Sequence, residues 1–359
     1  MNPLREIKRH GQSIWLDNLS RTHLREGALQ RLIEADGISG VTSNPSIFHN
    51  AVSDSPYYRE DLARLKRDQP DPERRYEALV IPDIRGACDL LQPVFRDRSG
   101  DDGYVSLEVS PRIAHDEEAT VINAQRLARE VARDNLLIKV PATPAGVRAF
   151  ERLVAQGINV NVTLLFSLQH MVRVFEAYIR GLRAWVASGG DPRRPKAVAS
   201  LFLSRVDTLV DKRLAALGTE AALSLRGKSA VAMAKLAYQR YREIFHGGPF
   251  ADLAQIGCRP QYPLWASTGT KNPAYSDVLY VEPLIGPETV NTVPDATLAA
   301  FREHGRPAAT LASGVAEAQA QYLLLEELGV DMQAVGEELQ ADGVRLFDEA
   351  YGKLLQLVA

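Results

Sequence analysis

Short apolar runs recur along this chain. Each ends in one or two polar residues, and helix-length stretches separate them. Eight runs carry the signature: 13–17, 40–44, 104–109, 136–141, 160–167, 197–204, 263–268 and 277–285. Most are nearly continuous in apolar residues instead of alternating, as strands of a parallel sheet buried on both faces are. Between them the apolar spacing turns helical. Ala119, Ile122, Leu127 and Val131 mark a helix over 116–134, and Pro144 opens another over 143–156. Met171, Val174, Phe175, Tyr178 and Leu182 mark a third over 167–188. Strands alternating with helices, eight times over, predict an α/β fold closed as a (β/α)8 TIM barrel. An open doubly wound sheet is the competing architecture, but no glycine-rich phosphate turn follows any strand.

The remaining length is helical. The 45–103 connection reads as two helical stretches split at Pro70-Asp71-Pro72, and 206–247 is a second insertion. Helices near 294–304, 313–328 and 331–358 follow the last strand. The final one carries a stripe of Val344, Phe347, Tyr351, Leu354 and Val358 that must pack on something. Residues 1–359 are therefore expected to form one barrel domain with two helical insertions and a C-terminal helical tail at 313–359.

Composition narrows the function. Lys and Arg total 42 against 45 Asp and Glu, a net charge of −3, so no overall field favours nucleic acid or an acidic membrane. Cys88 and Cys258 lie far apart, which argues against a disulfide framework, a zinc knuckle or a redox pair. His10, His23, His49, His115, His170, His246 and His304 are dispersed without metal-ligand spacing. No signal-peptide core or membrane-length apolar run is present. The expectation is a cytoplasmic protein, monomer or homodimer, working on a small molecule without metal or cofactor.

Candidate chemistry sits at the strands' C-terminal ends, where barrel active sites are built. Those ends offer Asp17, Thr42, Asn44, Glu108, Lys139, Asn161, Thr163, Ser200, Arg205 and Ser267. Thr42 and Asn44 share a strand face, as do Asn161 and Thr163. Lys139 stands out because it interrupts Leu136-Leu137-Ile138-Lys139-Val140-Pro141. Alone it reads equally as a strand-end lysine reaching solvent or an ion-pair partner. An amine removed from water also gives up its proton more readily and can attack a carbonyl. Glu108 and Asp17 each have a structural alternative too, as ion-pair partner and turn residue. Together the three place an amine between two carboxyls, a set suited to the proton transfers of Schiff-base chemistry.

Several segments in order resemble the transaldolase family. They are Ile14-Trp15-Leu16-Asp17, Gly40 to Ser46 (GVTSNPS), Val105 to Val109 (VSLEV), Leu137 to Pro141 (LIKVP), Gly157 to Ser167 (GINVNVTLLFS) and Ala199 to Arg205 (ASLFLSR). Trp265 to Pro273 (WASTGTKNP) is similar to the longer bacterial branch. The resemblance implies transfer of a dihydroxyacetone unit between sugar phosphates in the pentose phosphate pathway. It makes Lys139 the Schiff-base lysine, Glu108 and Thr163 the holders of a proton-shuttling water, and Asp17 the acid/base of C–C cleavage. Asn44 and Asn161 would bind donor hydroxyls, with Thr42 and Ser200 beside them and Arg205 on the phosphate. The shorter branch has an arginine two residues after the serine matching Ser267. Here Thr268-Gly269-Thr270-Lys271 intervenes, so Lys271 is the expected second cation. Phe202 either lines the site or fills a barrel layer. The competing functions are a Schiff-base aldolase that releases free dihydroxyacetone and a catalytically silent sugar-phosphate-binding scaffold. A lid is expected from the C-terminal helices, because the enamine must be kept from water.

Overall fold

In a computed structural model describing residues 2–359, eight parallel strands close into a barrel in sequence order. They are β1 (Gln12–Leu16), β2 (Gly40–Val41), β3 (Tyr104–Glu108), β4 (Leu136–Pro141), β5 (Val160–Leu165), β6 (Ala197–Phe202), β7 (Tyr262–Ala266) and β8 (Thr289–Val293). Every residue of β4, β5 and β6 is buried, which explains why those runs carry almost no alternation. Helices surround the ring, as the sequence pattern requires. Gly40 is needed where β2 meets β1: a Cβ there would lie 2.5 Å from the ring of Trp15, its register partner.

The eighth strand departs from expectation. Residues 277–285 turn through a short 3-10 helix at Glu282–Leu284, and Pro283 has no N–H for a ladder. Val278, Tyr280, Val281, Leu284 and Ile285 are buried there as a hydrophobic loop. The strand that closes the barrel is Thr289–Val293, pairing with β1 from Gln12–Thr289 to Leu16–Val293. Its sequence, Thr-Val-Asn-Thr-Val, is too polar to stand out as an apolar run.

The 45–103 connection breaks at 70–72 as expected, but its first stretch is two helices. Pro45–Asp54 and Arg59–Asp68 flank a 3-10 turn, and Asp71 then caps the long helix Pro72–Asp97. The helix Met332–Val358 packs on Pro45–Asp54, Pro72–Asp97, Ser204–Leu217 and β5, across the C-terminal end of the barrel. Its stripe is buried at Phe347, Tyr351, Leu354 and Val358. Tyr76 stacks edge-on between Phe48 and Tyr351, with centroids 5.9 and 5.7 Å away, and Arg75 donates to the Val358 carbonyl at 2.6 Å.

The barrel's opposite end carries a polar network. Asp102 accepts hydrogen bonds from Trp15 Nε1 at 2.9 Å and Ser13 at 2.6 Å. Lys196, only 1% exposed, donates to Asp101 at 2.6 Å and lies 3.4 Å above the Tyr262 ring. Tyr262 completes the set by donating to Asp101 at 3.0 Å.

Candidate active site

Residues paired across parallel strands project to the same side, so the ladder registers show which side chains enter the barrel. Glu108 pairs with Lys139, Lys139 with Asn161, and Asn161 with Val198. Stepping by two adds Ser106, Thr163, Ser200 and Phe202 to the same side. Through β7 and β8 the row reaches Thr292, and the β8–β1–β2 pairs add Asp17 and Thr42. The polar strand ends noted in the sequence therefore converge on one axis.

They surround a cavity of about 250 Å³. All the predicted residues except Glu108 and Asn161 line it: Asp17, Thr42, Asn44, Lys139, Thr163, Ser200, Phe202, Arg205, Ser267 and Lys271. Glu108 and Asn161 sit against these wall residues, joined to Lys139 and Ser200 respectively. The wall also takes Thr268, Gly269, Thr292, Pro294 and Phe347, which sequence reasoning missed. Size does not select this site. A larger hollow of about 740 Å³ lies at the N-terminal end, lined by helix and loop residues, several arginines and the strand residues Tyr104, Leu136 and Ile138. It takes no residue from a strand's C-terminal tip.

Lys139 is 5% exposed; its amine donates to the Ser43 carbonyl at 3.1 Å and stands 3.8 Å from Glu108 Oε2. That Glu108 oxygen has no hydrogen-bond partner, and neither does the buried Thr163 hydroxyl. Burial pushes the Glu108 carboxyl up to about 7, against the pull of Lys139 and with a further push from Asp17. Burial likewise raises Asp17, opposed by Lys139 and by the Thr42 hydroxyl, which donates to Asp17 Oδ1 at 2.7 Å. With its proton committed to Asp17, Thr42 accepts from Thr292 at 2.6 Å.

Asn161 is held at both ends of its amide. Ser200 donates to its Oδ1 at 2.7 Å, and its Nδ2 donates to Ser106 at 3.1 Å. Asn44 spends its carbonyl oxygen capping the helix Pro45–Asp54, through Ile47 N–H at 3.0 Å, so its amide N–H groups are the part left for a ligand.

The mouth of the cavity is cationic. Arg205 lies over the rings of Phe202 and Phe347, 5.5 and 5.9 Å from their centroids. Its Nη1 is buried without a partner. Burial pulls its pKa below the ordinary value, with Asp342 opposing, but a guanidinium keeps its charge regardless. A buried unpaired N–H costs about 1–3 kcal/mol, and an anion would relieve that cost. Ser267, in a left-handed conformation at φ +54°, directly follows β7 and hydrogen-bonds Ser204 at 2.7 Å. That contact ties the Arg205 helix to the loop carrying Lys271, an exposed side chain on the cavity wall.

Among the described residues, no three His, Cys, Asp or Glu side chains gather as a metal-binding set, and no helix is long and apolar enough to cross a membrane. His170 belongs to no such set. It is buried, accepting from Phe166 N–H at 3.3 Å and facing Glu337 at 3.3 Å.

A closed barrel holding a buried amine beside two carboxyls, with cations at the cavity mouth, is an arrangement chemically able to form an imine next to an anionic group. The sequence matches the Transaldolase/Fructose-6-phosphate aldolase family over residues 14–358, and the chain belongs to that family. It is 62% identical over 355 residues to a transaldolase of Thiobacillus denitrificans, covering 99% of each chain. It is 45% identical over 369 residues to transaldolase 2 of Nostoc sp., covering 99% of this chain and 96% of that one. A transaldolase of Neisseria gonorrhoeae is 45% identical over 355 residues, with 99% of each chain covered.

Proposed function

We propose that this protein is a transaldolase. It would move a dihydroxyacetone unit from sedoheptulose 7-phosphate to glyceraldehyde 3-phosphate, giving erythrose 4-phosphate and fructose 6-phosphate. The observation that carries this reading is the Lys139 amine, buried at the barrel's centre 3.8 Å from an unbonded Glu108 oxygen.

Lys139 attacks the donor's keto carbon, and the carbinolamine formed must lose water. A carboxyl poised near 7 can give and take protons at neutral pH, so Glu108, with the Thr163 hydroxyl, manages that exchange. The resulting protonated imine is an electron sink. Asp17 takes the proton of the donor's C4 hydroxyl, the C3–C4 bond breaks, and its electron pair passes into the imine to form an enamine. The aldose phosphate departs, the acceptor aldehyde enters, and the steps run in reverse.

Asn44, Asn161, Ser200 and Thr42 hold the sugar hydroxyls. Arg205 and Lys271 hold the phosphate, the former as a fork and the latter as a point charge. Phe347 and Phe202 form the apolar part of the wall beside these groups. Because Phe347 comes from the tail, we read 1–359 as one catalytic unit, and the two buried free thiols fit a reducing cytoplasm.

Borohydride reduction in the presence of fructose 6-phosphate should add a single three-carbon unit to the peptide containing Lys139. An adduct on another lysine, or none, defeats the mechanism. With sedoheptulose 7-phosphate as donor, erythrose 4-phosphate should accumulate only when glyceraldehyde 3-phosphate is supplied. Free dihydroxyacetone at a comparable rate without acceptor would make the enzyme an aldolase instead, and absence of both activities would leave the binding scaffold.

A further inference from the structure

The last strand pairing beside Thr163 is irregular. Between Val162 and Leu165 the β5–β6 register shifts, and Leu164, a buried non-glycine residue, takes a left-handed backbone at φ +61°. Such a conformation persists only where its surroundings over-determine it. The residue next to it is Thr163, whose unpartnered hydroxyl the proposed mechanism uses.

The C-terminal helix supplies the restraint. Gln340, buried on Met332–Val358, donates both amide hydrogens at 3.0 Å, one to the Leu164 carbonyl and one to the Ala142 carbonyl. Ala142 lies just past the tip of β4, and its own N–H donates to the Thr163 carbonyl at 2.8 Å. One carboxamide therefore continues the β4–β5 ladder beyond its last regular rung, beside the point where the bulge interrupts the β5–β6 ladder.

The same helix face approaches closely on either side of Gln340. A Cβ on Gly336 would come within 2.8 Å of Ser167 Cβ, and one on Gly343 within 2.9 Å of Leu164 Cδ2. Positions 336, 340, 343 and 347 share a helical stripe. The last of them, Phe347, lies over Lys139 with 5.8 Å from the amine to the ring centroid.

We propose that Gln340 is a positioning residue for the proton-transfer steps, fixing the β5 bulge so that the Thr163 hydroxyl faces the Lys139–Glu108 pair. It touches neither substrate nor reacting atoms and acts through Thr163. The same tether sets the depth to which Phe347 enters the cavity. This inference rests on the transaldolase reading.

The test is Gln340→Met, which keeps the length and loses both donors. Its kcat for transfer is expected to fall about 10- to 100-fold, as small misplacements of catalytic groups do. KM for fructose 6-phosphate should stay within about threefold, because the phosphate and hydroxyl contacts are untouched. Borohydride-trapped adduct at Lys139 should form more slowly by the same factor as kcat. Gln340→Asn keeps a carboxamide but withdraws it by one methylene from both carbonyls, so a smaller loss of kcat with the same unchanged KM is expected, and this variant decides if Gln340→Met does not fold. A native kcat in the folded variant overturns the proposal, and so does a loss of kcat matched by an equal rise in KM. If the wild-type protein gives no adduct at Lys139, the transaldolase reading fails. If it does and the variants match it, only the role of Gln340 fails.

Discussion

Two buried lysines stand at opposite ends of the same barrel, and they are held in different ways. Lys196 at the N-terminal end donates to Asp101 at 2.6 Å and covers the Tyr262 ring, so its charge is matched at once by an anion and an aromatic face. Lys139 at the C-terminal end reaches a backbone carbonyl at 3.1 Å, and the nearest carboxylate oxygen is 3.8 Å away and unbonded. Burial does not separate the two. The partners of the two amines do: Lys196 is in direct hydrogen-bond contact with a carboxylate, whereas beside Lys139 a carboxylate oxygen stays unbonded and in reserve for a substrate.

The largest effect should come from exchanging the two lysines' fates. Lys139→Met should lower transfer to background, a loss on the order of 10⁵-fold or more, with folding nearly unchanged. Lys196→Met should keep its turnover number while losing about 2 kcal/mol of stability, because Asp101 is left without its cation. Turnover per folded molecule, set beside denaturant midpoints, reads both. If Lys196→Met were inactive while fully folded, the division between a structural and a catalytic end would be wrong.

The arginines offer a smaller contrast of the same kind. Arg205 has a buried N–H with no protein partner, whereas Arg259 donates to the carbonyls of Gly100 and Ser99 at 2.6 and 2.5 Å. Arg205→Ala should cut kcat/KM for sugar phosphates about 100-fold, the worth of a charge-assisted phosphate contact, and leave stability unharmed. Arg259→Ala should cost about 1–2 kcal/mol of stability and leave kcat/KM alone. Steady-state kinetics with phosphorylated and unphosphorylated donors would expose a failure, since an Arg205→Ala effect present with both donors is not a phosphate effect.

How much of this was legible follows from what a one-dimensional pattern can carry. Lys139 was visible because a charge inside an apolar run has few explanations, and the register then places Glu108 directly opposite it. Seven strands were visible for the converse reason, that burial on both faces leaves continuous apolar runs. The eighth was not. Asn291, Thr289 and Thr292 are buried polar residues, Asn291 donating to the Tyr280 carbonyl at 2.9 Å and Thr289 to that of Gly286 at 2.6 Å, so the strand reads as a polar loop. The apolar residues of 277–285 pack without a ladder and so imitate a strand. Thr292 was lost from the candidate site with its strand. Phe347 was seen as part of a stripe, but helical spacing identifies a face and not what that face meets. Gln340 gave no signal at all, since a glutamine in a polar helix is unremarkable until its two carbonyl partners, 198 and 176 residues away, are known.

The last contrast is a difference in sign between the two ends' carboxyls. Glu108 is raised from 4.5 to about 7 by burial, so the folded state holds its proton where the unfolded state has released it. Its contribution to stability therefore declines as pH rises from about 4.5 through 7. Asp101 is the reverse: burial raises it, but the Lys196 charge and the hydrogen bonds from Lys196 and Tyr262 outweigh burial and hold it below its ordinary value. Its contribution is present above the unfolded value and lost only as acid protonates the folded carboxylate. Glu108→Gln should accordingly become more stable than wild type as the buffer moves from pH 5 to pH 8, by about 2 kcal/mol at the upper end. Asp101→Asn should be less stable than wild type across that range, with the deficit closing below pH 4. Denaturant midpoints of the three proteins at pH 3.5, 5 and 8 give the comparison. Parallel pH curves for wild type and Glu108→Gln would mean that Glu108 is already ionised in the folded protein, and its place in the proton transfers would have to pass to Asp17.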